Sequence, residues 1–196
     1  MKVLAIIPLR IGSKRLPKKN FLALSGRPLY WWVLREACAC RRIDKVVVST
    51  DADRRSLIPE NYDIIQRPPE LATDTATTED VVEDVIRKGE YNDYDTIMLI
   101  QATTPFTSTD VMDKALRIFE ENHLVCLVSV NEQYHPNGAF YIIQREIFFQ
   151  NKTFWVKGMS IIKMNNRNSL DIDNIWDFRI AEALTNGLIY DSENGK

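Results

Sequence analysis

The sequence predicts an α/β fold with three layers, in which helices cover both faces of a mostly parallel, Rossmann-like sheet. Apolar runs rich in valine and isoleucine alternate along the chain with segments of helical periodicity. Several of these runs are apolar throughout, as in strands that are covered on both faces. The order of the elements, β-α-β followed by α-β-α-β, is typical of parallel sheets with crossover helices.

Four strands are predicted from continuous apolar runs. The first is KVLAIIP at residues 2–8, and the second is KVVVST at residues 45–50. Two further runs of the same kind are DTIMLIQ at 95–101 and LVCLVSV at 124–130. Short apolar runs bounded by polar residues are consistent with buried strands, and here they separate helical patterns.

Three helices are predicted in the connections. The segment RPLYWWVLREACACRR at 27–42 has a proline near its start and apolar residues at helical spacing. The segment TTEDVVEDVIRKG at 77–89 offers Thr77 or Thr78 as a cap, acidic residues in its first turn and a closing glycine. The segment TSTDVMDKALRIFEEN at 107–122 repeats this design.

The pattern changes after residue 130. There the sequence continues with GAFYIIQ, a short helix, MSIIKM and a last helix predicted over 176–186. No repeat, low-complexity linker or composition shift indicates a domain boundary. A chain of 196 residues is long enough to bury one sizeable core, so we expect a single domain over residues 1–196.

Composition and charge argue against several classes of protein. Apolar residues make up 45% of the chain, charged residues 27%, and the formal net charge is −2, so we expect neither a nucleic-acid partner nor a membrane partner. The apolar core of the first segment has seven residues, ends in a proline and runs into a basic loop, which argues against a signal peptide. No stretch is long enough to span a membrane, and we expect a cytoplasmic location. The three cysteines show neither metal-ligand spacing nor a disulfide framework.

A strongly basic loop follows the first predicted strand. Residues 10–19 contain five lysine or arginine side chains in a chain that is nearly neutral. Since ligands of open parallel sheets bind at the carboxyl ends of the strands, this charge is expected to border the ligand crevice, where it would suit a polyphosphate. Neither the G-x-G-x-x-G fingerprint nor the P-loop pattern is present. The alternative is a solvated surface loop.

This loop also resembles a known family. IIPLRIGSKRLPKKNFLALSGRPL at 6–29 is similar to the N-terminal signature of the CMP-sialic acid synthetase (acylneuraminate cytidylyltransferase) family. Further segments that resemble the family are QRPPELATDTATTEDVV at 66–82, LIQATTPF at 99–106, PNGAFYI at 136–142 and SLDIDNIWDFRIAE at 169–182. The resemblance covers most of the chain and implies a sheet of the nucleotide-diphospho-sugar transferase type.

The resemblance implies a cytidylyltransferase: the hydroxyl of an acidic, sialic acid-like sugar attacks the α-phosphorus of CTP, and pyrophosphate departs. It implies catalytic roles for Arg10, Lys19 and Asp173. The residues that it assigns to CTP are Leu9, Gly12, Ser13, Lys14, Asn20, Arg67, Thr77 and Thr78. The residues that it assigns to the sugar are Gln101, Asn137 and Tyr141. The alternatives are helix capping for the two threonines, a surface position for the arginine, and buried structural roles for the three sugar residues.

A pair of acidic residues is the candidate metal site. Asp171 and Asp173 flank Ile172, so in an extended segment their carboxylates point the same way. Two hard oxygen donors suit Mg²⁺, which completes its shell with phosphate and water. The resemblance implies that both aspartates hold the Mg²⁺ that bridges nucleotide and sugar. The alternative is that one of them caps the last helix. The residues leave the general base open.

The chain departs from the family pattern near residues 130–136. Relatives carry a long insertion there that clasps a second subunit, whereas this chain has only NEQYH at 131–135. We therefore expect a shortened dimerisation arm, and the sequence leaves open whether a homodimer forms and which acidic sugar is used. An alternative function is an inactive nucleotide-binding homologue with a regulatory or scaffolding role; the basic and acidic residues named above favour an enzyme.

Overall fold

The computed structural model describes the chain from residue 1 to residue 194, and its side chains as far as residue 187. Its strands are β1 (Val3–Leu9), β2 (Ala23–Leu24), β3 (Arg27–Pro28), β4 (Lys45–Thr50), β5 (Asp63–Gln66), β6 (Thr96–Ile100), β7 (Cys126–Val130), β8 (Pro136–Gln144) and β9 (Ser160–Lys163). Its helices are α1 (Leu29–Ala39), α2 (Thr78–Lys88), α3 (Thr109–Glu121), α4 (Arg145–Asn151) and α5 (Ile175–Asn194).

Seven of the strands form one sheet in the order β5-β4-β1-β6-β8-β7-β9. The first four are parallel to one another, β8 is antiparallel to both of its neighbours, and β9 is parallel to β7. The predicted mostly parallel sheet is therefore confirmed. The two shortest strands, β2 and β3, pair separately as an antiparallel hairpin.

Strand β1 shows why its sequence is apolar throughout. Val3, Ala5 and Ile7 point to the face of the sheet that packs against α1 and α3, whereas Leu4 and Ile6 point to the face that packs against α2. All five side chains are buried. Since alternate residues of a strand face opposite sides, burial on both sides requires apolar residues at every position. The predicted three-layer arrangement is confirmed.

A further apolar cluster, separate from those on the two faces of the sheet, joins distant parts of the chain. It contains Leu16 from the basic loop, Phe106, Ile172 from between the two aspartates, and Phe178 and Ala181 from α5. Ile172 is fully buried in this cluster. Burial of apolar area therefore brings the basic loop close to the acidic pair, although more than 150 residues separate them.

The structure differs from the sequence prediction at the ends and edges of elements. Helix α1 begins at Leu29, because Arg27 and Pro28 belong to the small hairpin. Strand β5, at one edge of the sheet, was not predicted, and α5 continues beyond residue 186. Residues 131–135 form a tight turn between β7 and β8, in which the Asn131 side chain accepts hydrogen bonds from two backbone N–H groups. Within residues 1–194, no helix is both long and apolar enough to cross a membrane.

Candidate active site

A cavity of about 560 Å³ opens at the carboxyl ends of the parallel strands. The predicted site residues that line it are Arg10, Gly12, Ser13, Lys14, Lys19, Asn20, Arg67, Thr77, Thr78, Gln101, Asp171 and Asp173. They come from the basic loop, the segment before α2, the end of β6 and the segment before α5. The structure thus brings four separated motifs to a single cavity.

The basic loop is held at both ends by side-chain to backbone hydrogen bonds. The Asn20 amide donates to the carbonyl oxygen of Arg10 (3.0 Å), and the backbone N–H of Ile11 donates to the Asp51 carboxylate (2.8 Å). Lys18 adopts a left-handed conformation (φ 53°), which is uncommon for a residue with a side chain. It starts a short helical turn that directs Lys19 into the cavity. The loop is therefore a fixed scaffold for its cations.

The two aspartates reach the same cavity from the other end of the chain. Ile172 lies between them and is anchored by its N–H, which donates to the Thr103 carbonyl oxygen (2.9 Å). The Asp173 carboxylate accepts one bond from Lys19 (3.0 Å) and another from Arg15 (2.8 Å). These ion pairs join the acidic segment to the basic loop directly.

The capping alternative for the two aspartates is wrong. The Asn174 side chain accepts hydrogen bonds from the backbone N–H groups of Trp176 (2.8 Å) and Asp177 (3.3 Å), so Asn174 caps α5. Asp177, in the first turn of the helix, accepts in turn from the backbone N–H of Asp173 (2.8 Å). Both cavity carboxylates are therefore free of a capping role.

The environments of the two carboxylates shift their pKa values in opposite directions. Burial raises the pKa of Asp171, and the neighbouring Asp173 charge adds to this effect, while a hydrogen bond from Thr103 opposes it. Burial also acts to raise the pKa of Asp173, but the hydrogen bonds and charges of Lys19 and Arg15 outweigh it, so the pKa is lowered. The surroundings of Asp173 thus favour its ionised form, whereas burial disfavours the ionised form of Asp171.

The pair also fits a divalent cation by its chemistry. Oδ1 of Asp171 is buried and has no hydrogen-bond partner among the described residues, which is costly for a carboxylate oxygen. Beside it, Gly138 has φ +72°, and a Cβ there would lie 3.4 Å from Oδ2 of Asp171. No three His, Cys, Asp or Glu side chains in the described part of the chain are grouped to hold a metal alone. A cation held by the two aspartates would need further ligands from substrate or water.

Arg67 lies deeper in the cavity wall than its sequence context suggests. It is 4% exposed, and its guanidinium donates to the carbonyl oxygen (2.7 Å) and the hydroxyl (3.3 Å) of Ser49. Burial lowers the pKa of Arg67 to about 10, with the Asp51 charge opposing that shift, so the side chain remains a cation. A surface position for this arginine is therefore wrong.

The predicted cap of the second long helix is confirmed. The Thr77 hydroxyl accepts from the backbone N–H of Asp80 (3.1 Å), and the Asp80 carboxylate accepts from the backbone N–H of Thr77 (3.0 Å). This reciprocal pair is a capping box. Thr77 and Thr78 also line the cavity, so the N-terminus of α2 faces the basic loop. Backbone N–H groups at a helix N-terminus favour anions.

Asp74 is a cavity residue that sequence reasoning missed. Its carboxylate pairs with Arg10 (2.9 Å) through one oxygen and with Lys14 (2.8 Å) through the other. The hydrogen bonds of Lys14 and Arg10 lower the pKa of Asp74. The available signal was an aspartate in the polar segment ATDTATT at 72–78, which leads into α2.

Comparison with known proteins agrees with this geometry. A family model described as Cytidylyltransferase matches residues 4–164, which is most of the chain. The chain belongs to the cytidylyltransferase family. An N-acylneuraminate cytidylyltransferase of Escherichia coli O18:K1:H7 is 30% identical over 92% of the chain. The match covers 51% of that relative, so the chain spans about half the length of the curated relatives of this kind.

A second cytidylyltransferase relative matches over nearly its full length. It is a pseudaminic acid cytidylyltransferase of Campylobacter jejuni, 31% identical over 223 residues, which cover 94% of the chain and 96% of the relative. This alignment is longer than the chain's 196 residues, so it contains positions that the chain lacks.

Solved structures share the cytidylyltransferase fold at low sequence identity. A structure described as CMP:2-keto-3-deoxy-manno-octonic acid synthetase complexed with CTP has a TM-score of 0.74 and 15% identity, and the match covers 95% of this chain and 99% of that one. Rv0371c of Mycobacterium tuberculosis, described as a complex with manganese, has a TM-score of 0.68 and 14% identity, with 93% and 99% coverage. At these identities the likeness supports the fold.

Three residues predicted to bind substrate do not line the cavity. Leu9 is fully buried in the core on the face of the sheet that packs against α1 and α3. The Asn137 amide is buried and is used internally, since its oxygen accepts from Ser129 (2.7 Å) and its nitrogen donates to Ser169 (2.9 Å). Tyr141 is half-buried in an aromatic cluster, and burial, with the charges of Glu79 and Asp171, raises its pKa.

Proposed function

We propose that this chain transfers CMP from CTP to an acidic sugar of the sialic acid-like nonulosonic class and releases pyrophosphate. The observation that carries the proposal is the meeting of the basic loop with Asp171 and Asp173 in one cavity, where Lys19 lies 3.0 Å from Asp173. The names of the relatives, which act on N-acylneuraminate or pseudaminic acid, support this substrate class.

The proposed site divides into two sides. On the phosphate side, Arg10, Lys14 and Lys19 bind the triphosphate, while Arg67 and the N-terminus of α2 border the nucleoside. Phosphoryl transfer needs little covalent chemistry from the protein, so positioning and charge neutralisation supply most of the rate. A cation in reach of the departing pyrophosphate stabilises the charge that develops there.

On the acceptor side, Gln101 and Thr103 border the space next to Asp171. The acceptor hydroxyl forms a bond to the α-phosphorus as the bond to the pyrophosphate oxygen breaks. The proton of the acceptor hydroxyl leaves toward the side of the cavity where the carboxylates of Asp171 and Asp173 lie. A divalent cation held by these carboxylates, which we expect to be Mg²⁺, would neutralise phosphate charge and polarise the attacked phosphoryl group.

The test is release of pyrophosphate from CTP in the presence of Mg²⁺ and a panel of acceptors. The panel contains N-acylneuraminate, pseudaminic acid, legionaminic acid and 3-deoxy-octulosonic acid. We expect release with at least one of the nine-carbon acids and formation of the matching CMP-sugar. Tight CTP binding without release for any acceptor would overturn the proposal and favour a nucleotide-binding role. Sedimentation of the same sample tests the homodimer, which stays a prediction.

A further inference from the structure

We propose that Asp74 is an internal counter-ion that occupies the phosphate-binding cations of the free protein and must be displaced by the polyphosphate of the substrate. The inference rests on the proposed function, because it concerns the same basic loop. It adds a residue that lowers affinity for phosphates and thereby determines which anions the loop accepts.

The contacts of Asp74 are those that a phosphate group would make. One carboxylate oxygen lies 2.9 Å from the Arg10 guanidinium, and the other lies 2.8 Å from the Lys14 ammonium. Carboxylates and phosphates accept the same short, charge-assisted bonds from these side chains. Since all three residues line the cavity, Asp74 and a bound triphosphate would compete for the same two donors.

The turn that carries Asp74 is held in place without these ion pairs. The Thr73 hydroxyl donates to the Glu70 carbonyl oxygen (3.2 Å) and accepts from the backbone N–H of Ala76 (3.2 Å). The capping box of Thr77 fixes the next residues. The Asp74 side chain can therefore release its partners while the backbone stays in position.

The ion pairs are also exposed enough to exchange. The Lys14 side chain is 81% exposed and that of Asp74 38% exposed, and pairs in such positions contribute little net stability. A single carboxylate offers one negative charge, whereas pyrophosphate and CTP offer several. Polyphosphates should therefore displace Asp74, while ligands without phosphate should leave it paired.

The test is equilibrium binding of CTP, pyrophosphate and cytidine to the wild type and to Asp74→Asn, without acceptor sugar, with cytidine measured by competition against labelled CTP. We expect Asp74→Asn to bind CTP and pyrophosphate roughly fivefold more tightly and cytidine equally well. The matched control is Glu70→Gln, which removes one negative charge at a position four residues before Asp74. The Glu70 side chain is exposed and makes no ion pair in the described region. It should change each affinity by less than about twofold.

Each outcome decides the proposal. Unchanged or weaker binding of CTP by Asp74→Asn, with normal binding by the wild type, would overturn the counter-ion role and leave the proposed function intact. An equal gain for cytidine, or an equal gain in Glu70→Gln, would overturn it as well, because the effect would not be directed at the phosphates. Failure of both wild type and Asp74→Asn to bind CTP would overturn both proposals.

A second measurement tests direct pairing. In a Lys14→Met background Asp74 can compete only for Arg10, so adding Asp74→Asn should then tighten CTP binding by about twofold rather than fivefold. The same gain in both backgrounds would mean that Asp74 acts without the Lys14 contact, and would overturn the pairing on which the proposal rests.

Discussion

The two sides of the cavity differ in how their charges are satisfied before any ligand binds. On the phosphate side, Arg10 and Lys14 are already paired with Asp74. On the acceptor side, Asp173 is paired with Lys19 and Arg15, but Oδ1 of the neighbouring Asp171 is buried without a partner in the described structure. Binding on the first side is therefore an exchange of partners, whereas binding on the second side satisfies a group that the fold has left unsatisfied. Substitutions on the phosphate side should therefore mainly change the affinity for phosphates, whereas substitutions on the acceptor side should mainly change turnover.

The largest effect is expected for Asp171→Asn, which alters the unsatisfied carboxylate on the acceptor side. The amide keeps the shape of the side chain but cannot supply a charged metal ligand, so turnover should fall by roughly 10³-fold. Because burial raises the pKa of Asp171, its ionised form destabilises the free protein at neutral pH, and the variant should melt at the same or a higher temperature. Steady-state assays and thermal melting measure both effects.

The control for this variant is Asp113→Asn on the surface of α3. Asp113 pairs with Arg42 (3.3 Å) and does not line the cavity, so its substitution should leave turnover unchanged. Mg²⁺ with CTP should raise the melting temperature of the wild type and of Asp113→Asn more than that of Asp171→Asn. Turnover of Asp171→Asn within tenfold of the wild type would contradict the metal role.

Two cations, Lys19 and Arg15, pair with Asp173 and differ in their exposure to solvent. The Lys19 side chain is 15% exposed and that of Arg15 is 73% exposed, although both contact the same carboxylate. A charge at the less solvated position acts more strongly, so Lys19→Met should lower kcat/KM by about 10²-fold and Arg15→Met by less than about fivefold. Pyrophosphate-release kinetics with varied CTP measure both. Equal losses of kcat/KM in Lys19→Met and Arg15→Met would contradict the larger role that we assign to the less exposed Lys19.

Asn137 has a structural role, whereas Gln101 lines the acceptor side of the cavity. Asn137→Ala leaves the buried Ser129 hydroxyl without one of its partners and should lower the free energy of unfolding by about 2 kcal/mol. Its effect on the acceptor KM should be small. Gln101→Ala removes a side chain that lines the cavity, and should raise the acceptor KM while leaving stability unchanged. Urea denaturation and acceptor titrations distinguish the two, and the reverse pattern would contradict the placement of Asn137.

The sequence predicts the centre of the fold better than its edges, for a physical reason. A strand buried on both faces, such as β1, must be apolar at every position, and this leaves a continuous signal. Strand β5 contains only two apolar residues, Ile64 and Ile65, and is half-buried at the edge of the sheet. The hairpin of β2 and β3 has two residues in each strand, too few to show any periodicity.

The candidate site also has some features that local sequence predicts and others that it does not. The cluster of cations in the basic loop and the paired aspartates are visible as local patterns, and the fold does bring them together. Asp74 was missed because its role depends on contacts with residues about 60 positions away. The resemblance assigned Asn137 to the sugar, with a buried structural role as the alternative; its buried partners, Ser129 and Ser169, are not adjacent to it in sequence and could not be identified there. Pairing between distant polar groups is set by packing, which local sequence does not report.

The smallest expected effect concerns the helix that faces the basic loop. Thr77→Ala removes the hydroxyl of the capping box and should lower the free energy of unfolding by about 1 kcal/mol. Ser108→Ala is the matched control, because Ser108 holds the N-cap position of α3 but its side chain makes no capping hydrogen bond, so stability should not change. Urea denaturation of both variants measures this difference, and Thr77→Ser should restore most of the loss. If CTP binding weakens in Thr77→Ala but recovers in Thr77→Ser, the hydroxyl contributes to the phosphate side of the cavity as well as to the helix. Equal stability losses in Thr77→Ala and Ser108→Ala would contradict the capping assignment.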